Sequence, residues 1–195
     1  MEASKKKLDK KNRLEEAACK LFTEKGVSHT TVDEIARAAD VAKGTFYLYF
    51  NDKKDLLSNI VIKRSITLLE QAIEAARIQN TDDFVDEIIL ITNYIITFFK
   101  QNKELLTLIE KNLSWSLIHQ KINQEENGNF QILIDYWINH PYMSSYSMSR
   151  SYHIMFIIIE LVGTICYTSI IENQPDTIDN LKQDLFFAIR QILRK

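Results

Sequence analysis

Apolar residues recur at spacings of three and four along most of the chain, and no series of segments keeps the period-two alternation of strands. With only four glycines and two prolines in 195 residues, this pattern predicts an all-α protein of about nine or ten helices. The helices are expected at 7–25, 32–39, 41–50, 53–79, 82–101, 103–111, 114–122, 130–139, 149–172 and 177–195. Polar residues predict loops at 124–129 and 140–147.

Two short helices separated by a tight turn are predicted between residues 31 and 50. Thr31 and Glu34 have the spacing of a capping box, which marks the start of a helix. Asp40 tolerates the left-handed conformation that a tight turn needs. The apolar residues Ile35, Ala36, Ala39, Val41, Phe46 and Phe50 can hold the two helices together. This arrangement is typical of a helix-turn-helix, whose second helix enters the major groove of DNA.

The outer face of the second short helix carries residues that suit contact with DNA. Lysine and tyrosine side chains reach phosphates, and threonine can contact a base edge or a thymine methyl group. These residues are Lys43, Thr45, Tyr47 and Tyr49. Gly44 is unfavourable in a helix, so it indicates a backbone that closely approaches a partner. Each residue alone also fits an ordinary solvated face, and Leu48 could contact a thymine methyl group or pack on the next helix.

The motif TVxxIAxxAxVxKGTFYxYFxxKxxL, which begins at Thr31, resembles the tetracycline-repressor (TetR) family, and the resemblance covers about residues 14–57. It implies that Thr31, Lys43, Tyr47, Tyr49 and Lys53 bind phosphates and that Thr45 lies over the bases. Lysines among residues 5–11 could add contacts from the N-terminal arm. Two positions depart from the family pattern, because Asp40 replaces the usual turn glycine and Ala42 replaces a hydroxyl residue. The second change removes one phosphate hydrogen bond.

The apolar run 154–171 predicts a buried helix, interrupted by Glu160, Gly163, Thr164, Thr168 and Ser169. A membrane span is disfavoured by Glu160 and by the missing Lys/Arg flanks. Pairing of the last two helices across a two-fold axis would instead give a four-helix dimer interface. The last helix would contribute a second apolar seam of Ile178, Leu181, Leu185, Ile189 and Ile192.

Aromatic and polar side chains between residues 94 and 167 suit an apolar pocket with a few polar groups. The candidate ligand-binding residues are Tyr94, Phe98, Trp115, His119, Trp137, Phe156 and Glu160. Simple packing in a helical core is the alternative for each of them. Glu160 would need a partner in so apolar a run, either inside the protein or on a cationic ligand.

Composition and charge narrow the function further. Residues 1–55 hold 12 Lys/Arg against 10 Asp/Glu and the rest 12 against 16, so the more basic part lies at the N-terminus. The two cysteines, Cys19 and Cys166, are far apart, and no metal-ligand spacing, cofactor motif or nucleophile elbow occurs. The sequence thus favours a cytoplasmic protein that is not an enzyme and has no cofactor or metal.

These observations predict an N-terminal three-helix DNA-binding domain, residues 1–52, and a C-terminal helical ligand-binding and dimerisation domain, residues 53–195. The leading hypothesis is a homodimeric repressor that binds a palindromic operator in double-stranded DNA and is released by a small, largely apolar effector. The alternative is a ligand-independent DNA-organising or protein-interaction factor with the same dimeric fold. A helical enzyme or lipid carrier with an incidental basic N-terminus is a third, less favoured hypothesis.

Overall fold

The computed structural model describes residues 2–113 and 136–194, with side chains from residue 7 onward. Within these ranges the protein is helical and contains no strand, which confirms the all-α prediction. The α-helices are α1 (Glu2–Lys25), α2 (Val32–Ala38), α3 (Lys43–Phe46), α4 (Lys53–Ile78), α5 (Phe84–Gln101), α6 (Lys103–Asn112), α7 (Met148–Tyr167) and α8 (Ile178–Leu193). A 3₁₀ helix occupies Pro141–Ser145, and a π turn, Thr168–Glu172, extends α7.

The helix boundaries follow local capping chemistry. The Asp52 side chain accepts a hydrogen bond from the Asp55 backbone N–H at the start of α4, and Asp83 does the same for Asp86 in α5. Gly26 at φ 86° ends α1, and Asn80 at φ 49° follows α4. Both positions use the left-handed conformation that commonly terminates helices.

Several predicted boundaries were wrong. α1 begins at Glu2, and α3 covers only 43–46 of the predicted 41–50, because Ala42 is extended at φ −66°, ψ 145°. The predicted loop at 140–147 contains the 3₁₀ helix, whose first turn is fixed by Pro141 and by the His140 ring. The predicted helix 114–122 and most of 130–139 lie outside the described residues.

One continuous apolar core joins the two ends of the molecule. It begins between α1 and α3 at Leu14 and Phe46 and continues along α4 into the bundle of α5 to α8. α4 contacts α1 at one end and α5 and α6 further along. At 26 residues it is about 39 Å long, so one rigid element reaches both regions.

Within one copy of the chain α7 is buried on one face only, so the predicted burial of its other face by a dimer partner stays a prediction. One face, including Ile154, Ile158 and Cys166, is buried, while Phe156 and Ile157 are exposed. By length and composition Met148–Glu172 could cross a membrane, the one such helix among the described residues. Its inner face, however, packs on α5, α6 and α8 of the same chain.

The predicted dimer seam of the last helix also needs correction. Ile178, Leu185 and Ile189 are at most 3% exposed within one copy of the chain, so they belong to its own core. Phe187, on the opposite face of α8, is instead 64% exposed. An apolar stripe therefore marked the inner face of α8, and the sequence pattern alone could not assign it to the core or to an interface.

Candidate nucleic-acid interface and effector cavity

The turn between α2 and α3 is fixed by a backbone hydrogen bond within the motif and by the Arg13 side chain of α1. Asp40 adopts the left-handed conformation at φ 51°, as its residue type predicts. The Val41 backbone N–H donates to the Ala36 carbonyl at 3.0 Å. The Arg13 guanidinium in α1 donates to the carbonyls of Ala39 and Asp40 and to the Asp40 carboxylate. The α2–α3 geometry is therefore held from outside the motif as well as within it.

The capping box at the start of α2 forms as predicted. The Thr31 hydroxyl accepts from the Glu34 N–H, and the Glu34 carboxylate accepts from the Thr31 N–H at 2.8 Å. Glu34 also pairs with the Lys25 ammonium, which the sequence analysis missed. The hydrogen bonds from Lys25 and Thr31 lower the pKa of Glu34 from 4.5 to about 2.

The core beneath α3 is aromatic. The side chains of Phe46 and Phe50 are at most 2% exposed, with their ring centroids 5.7 Å apart. The Tyr47 ring meets Phe46 edge-on at 5.2 Å while remaining 55% exposed itself. The buried Phe46 ring thus packs against the outward tyrosine.

The predicted DNA contacts differ in how free their polar groups are. Lys43 and Tyr47 are exposed and Thr45 and Tyr49 are partly exposed, and all four belong to α3 or the turn after it. The Lys43 ammonium pairs with Asp33 at 3.0 Å, which raises the pKa of Lys43. Leu48 is 74% exposed, so it does not pack on α4.

Two predicted phosphate ligands have partners inside the protein. The Lys53 ammonium donates to the carbonyls of Val27 and Thr30 at 2.6 and 2.8 Å. The Thr31 hydroxyl is part of the capping box. Both residues position the start of α2, and the sequence predicted this role for Thr31 but not for Lys53.

Gly44 is exposed, and a β-carbon added to it would meet nothing within 4 Å. The packing of this chain therefore does not require a glycine here. A glycine costs about 1 kcal/mol relative to alanine inside a helix. The close approach of an external partner to Gly44 stays a prediction from the sequence.

A cavity of about 210 Å³ lies in the C-terminal bundle. Its walls come from α4, α5, α6, α7 and the segment at Tyr136 and Trp137, and the described lining is Ile62, Ser65, Ile66, Leu68, Leu69, Ile88, Ile91, Thr92, Ile95, Phe99, Ile109, Leu113, Tyr136, Trp137, Met155, Ile158, Ile159, Val162 and Gly163. An engineered apolar cavity of about 150 Å³ is large enough to hold benzene. The space can therefore accept a small apolar molecule.

Only one of the predicted pocket residues among the described residues lines the cavity. Trp137 lines the cavity and donates from Nε1 to the Ser151 carbonyl at 3.0 Å. Tyr94, Phe98, Phe156 and Glu160 are not part of the lining. Trp115 and His119 lie outside the described residues. The aliphatic residues that form most of the wall were missed, since periodicity does not show which apolar side chains face an empty space.

Glu160 is exposed on α7, and no ion pair found among the described residues includes it. The pKa of Glu110 on α6 is raised mainly by the burial of Glu110 itself and further by the charge of Glu160. Within a single copy of the chain the Glu160 side chain is solvated, so it needs no partner there.

The N-terminal helices match a known protein family. The family model for bacterial regulatory proteins of the tetR family matches residues 14–60. An HTH-type transcriptional regulator of Staphylococcus aureus (strain USA300) is 30% identical over 132 residues, 66% of this chain and 65% of that protein. The fatty acid metabolism regulator protein of Bacillus subtilis (strain 168) is 28% identical over 129 residues, 66% of each chain. The alignments thus span slightly less than two thirds of these relatives.

Solved structures share the fold over nearly the whole chain. The fatty acid degradation regulator FadR from Bacillus halodurans matches with a TM-score of 0.61 at 20% identity, covering 95% of both chains. FadR from Bacillus subtilis, solved in complex with stearoyl-CoA, matches with a TM-score of 0.62 at 20% identity, covering 91% of this chain and 96% of that one. The family-model match over residues 14–60, together with these relatives and the shared fold, supports a regulator of the tetR family of bacterial regulatory proteins.

Proposed function

We propose that this protein is a homodimeric transcriptional repressor that binds a palindromic operator and releases it when a small, largely apolar effector fills the C-terminal cavity. The observation that carries the proposal is the position of α4. Its first turns pack Leu56 and Leu57 into the core it shares with α1 and α3, and Ile62, Ser65 and Leu69 of the same helix line the cavity.

This position gives the effector a route to the DNA-binding helices. An occupant of the cavity contacts α4 directly, and a shift of α4 acts on α1, because the Lys63 ammonium pairs with the buried Glu15 carboxylate at 2.6 Å. A ligand that binds one arrangement of α4 more tightly than another changes operator affinity by that difference. We therefore place the domain division at residues 52 and 53, with α4 as the connecting helix.

The outer faces of α7 and α8 are the proposed dimer interface. They expose Phe156, Ile157 and Phe187, and such apolar groups on neighbouring helices favour association. Two copies related by a two-fold axis then present two α3 helices to half-sites about one helical turn apart. The apolar outer face of α7 is assigned to this interface rather than to a membrane, which fits a cytoplasmic regulator.

The relatives support an apolar effector. One curated relative is named a fatty acid metabolism regulator, and FadR from Bacillus subtilis was solved with stearoyl-CoA. The wall of the cavity in this chain is almost entirely aliphatic and aromatic, which suits the same broad ligand chemistry. A regulatory role also fits the absence of a catalytic motif from the sequence, so we propose no enzymatic activity.

Binding to DNA from upstream of its own gene tests the proposal. We expect a specific complex in gel shifts, with a salt slope that falls by about one when Lys43→Ala removes one phosphate contact. Tyr47→Phe should weaken binding without loss of folding, because only an exposed hydroxyl is removed. A lipid extract should release the wild-type complex.

Binding that ignores sequence and does not respond to the extract would contradict the repressor model. That outcome would favour the alternative of a DNA-organising factor with the same fold. An Ile95→Trp variant, which fills the cavity from α5, is the control for the effector. It should keep its operator affinity and lose the response to the extract.

A further inference from the structure

Three hydroxyl groups are present on the described wall of the otherwise apolar cavity, and they differ in their hydrogen bonding. Thr92 Oγ1 donates to the Ile88 carbonyl at 2.8 Å, the usual bond of a helical hydroxyl to the preceding turn. Thr97, Thr107 and Thr168 make the same kind of bond. Ser65 Oγ and Tyr136 Oη are buried and have no hydrogen-bond partner.

This concentration of unpaired oxygens is unusual for the molecule. Among the described residues only one other buried side-chain oxygen, Ser169 Oγ, lacks a partner, and Ser169 does not line the cavity. A buried hydroxyl without a partner destabilises the folded protein, whereas a ligand atom that pairs with it recovers that cost. The two oxygens therefore indicate where a bound molecule carries a polar atom.

The charges near the cavity determine what kind of polar atom fits. The described lining contains no Lys, Arg or His. Next to Gly163, which lines the cavity, a Glu110 carboxylate oxygen lies 3.7 Å from the position of an added β-carbon. Glu160 is close enough to Glu110 to raise its pKa together with burial.

A carboxylate also lies near Tyr136. Burial raises the pKa of its hydroxyl most, and the Glu87 carboxylate, which lies beside the hydroxyl without completing a hydrogen bond, raises it further. The phenol therefore stays protonated and able to donate. Arg77 is the cation beside it, with its guanidinium 5.8 Å from the ring centroid, but Arg77 is exposed and does not line the cavity. An anionic ligand group would thus enter an apolar space with carboxylates nearby and no cation in the part of the wall that the structure describes.

We propose that the cavity selects an uncharged hydrocarbon molecule that carries a hydrogen-bond-accepting carbonyl, such as a neutral ester, thioester or ketone, with Ser65 and Tyr136 as the donors. This inference rests on the proposed effector function and names the chemical class of its ligand. Ser65 is on α4, so the polar atom of the ligand is held by the helix that leads to the DNA-binding helices.

Three matched probes test the selectivity in the full-length protein. Propiophenone and propylbenzene differ only by a carbonyl in place of a methylene, and 3-phenylpropanoate is an anion of similar size. Their affinities are measured by displacement of the fluorescent dye N-phenyl-1-naphthylamine. We expect the ketone to bind about five- to tenfold more tightly than the hydrocarbon, the usual value of one hydrogen bond, and the anion to bind most weakly.

The double variant S65A/Y136F removes both oxygens and little else, and it should abolish the preference for the ketone. Thr92→Val is the matched control. It removes from the same wall a hydroxyl that already has a hydrogen bond, and it should keep the preference.

Equal binding of the ketone and hydrocarbon to the wild type would overturn the inference and leave the apolar effector site intact. A preference that survives in S65A/Y136F, or tight binding of the anion, would also overturn it. Failure of every probe to displace the dye would overturn the inference, while operator release by the lipid extract separately tests the proposed function.

Discussion

The DNA-binding helices and the C-terminal bundle are stabilised by different chemistry. Around α2 and α3, polar groups fix the geometry: the Thr31–Glu34 capping box, the Arg13 contacts with the turn and the Lys53 contacts with two carbonyls. The bundle instead relies on apolar packing, and it contains a cavity. Directional bonds suit a surface that must match DNA closely, whereas apolar packing can adapt to an occupant.

The largest expected effect on stability is at the apolar core that continues from the DNA-binding helices into the bundle. Phe46→Ala should lower the free energy of unfolding by about 3–5 kcal/mol, because it leaves a cavity at a fully buried site beneath α3. Denaturation by urea measures it. Tyr47→Ala is the neighbouring control, and it should change stability little while weakening operator binding. A small effect of Phe46→Ala would show that the DNA-binding helices do not depend on this core.

Loss of a helix cap should separate the two regions. Thr31→Ala removes the Thr31 hydroxyl from a reciprocal capping box, and we expect a loss of about 1 kcal/mol with impaired operator binding. Ser147→Ala removes a single cap bond to the Arg150 N–H at the start of α7. It should cost less and leave operator binding unchanged. Equal effects of both variants on DNA binding would contradict the expectation that only the cap at α2 supports the DNA-binding surface.

The pH dependence of stability should reveal the ion pair at α2. The folded pKa of Glu34 is about 2, below its ordinary 4.5, so the ionised carboxylate stabilises the fold above pH 4.5. That contribution should be lost as the pH falls from 4.5 through 2. Comparison of the wild type with Glu34→Gln by thermal unfolding measures it. A constant difference between the two proteins across this range would contradict the assigned interaction.

The smallest effect is expected at the surface of the bundle. Lys100 pairs with Asp179 at 2.7 Å and lowers the pKa of that carboxyl, but both side chains are solvent-exposed. Exposed pairs contribute little to stability and are screened by salt. Lys100→Met should therefore leave urea denaturation unchanged within error at physiological salt. A clear destabilisation would show that the α5–α8 contact depends on charge more than its apolar packing suggests.

Sequence reasoning was most successful where the chemistry is local. The capping box and the left-handed Asp40 depend on residues a few positions apart, so their types and spacing predict them. The cavity depends on the distances between helices far apart in sequence. Aromatic residues drew attention to Tyr94 and Phe98, while the structure builds the wall largely from aliphatic side chains such as Ile91. The pairing of Lys53 with loop carbonyls required the same long-range information.

The Lys53 contacts have a mechanical consequence. Lys53 is the first residue of α4, and its ammonium is tethered to the carbonyls of Val27 and Thr30 in the loop that leads into α2. A rotation of α4 that exceeds the reach of this flexible side chain must either break both bonds or pull that loop with it. The two hydrogen bonds thus form a short linkage through which the long helix can steer the start of α2, and their strength limits the force that the linkage can transmit.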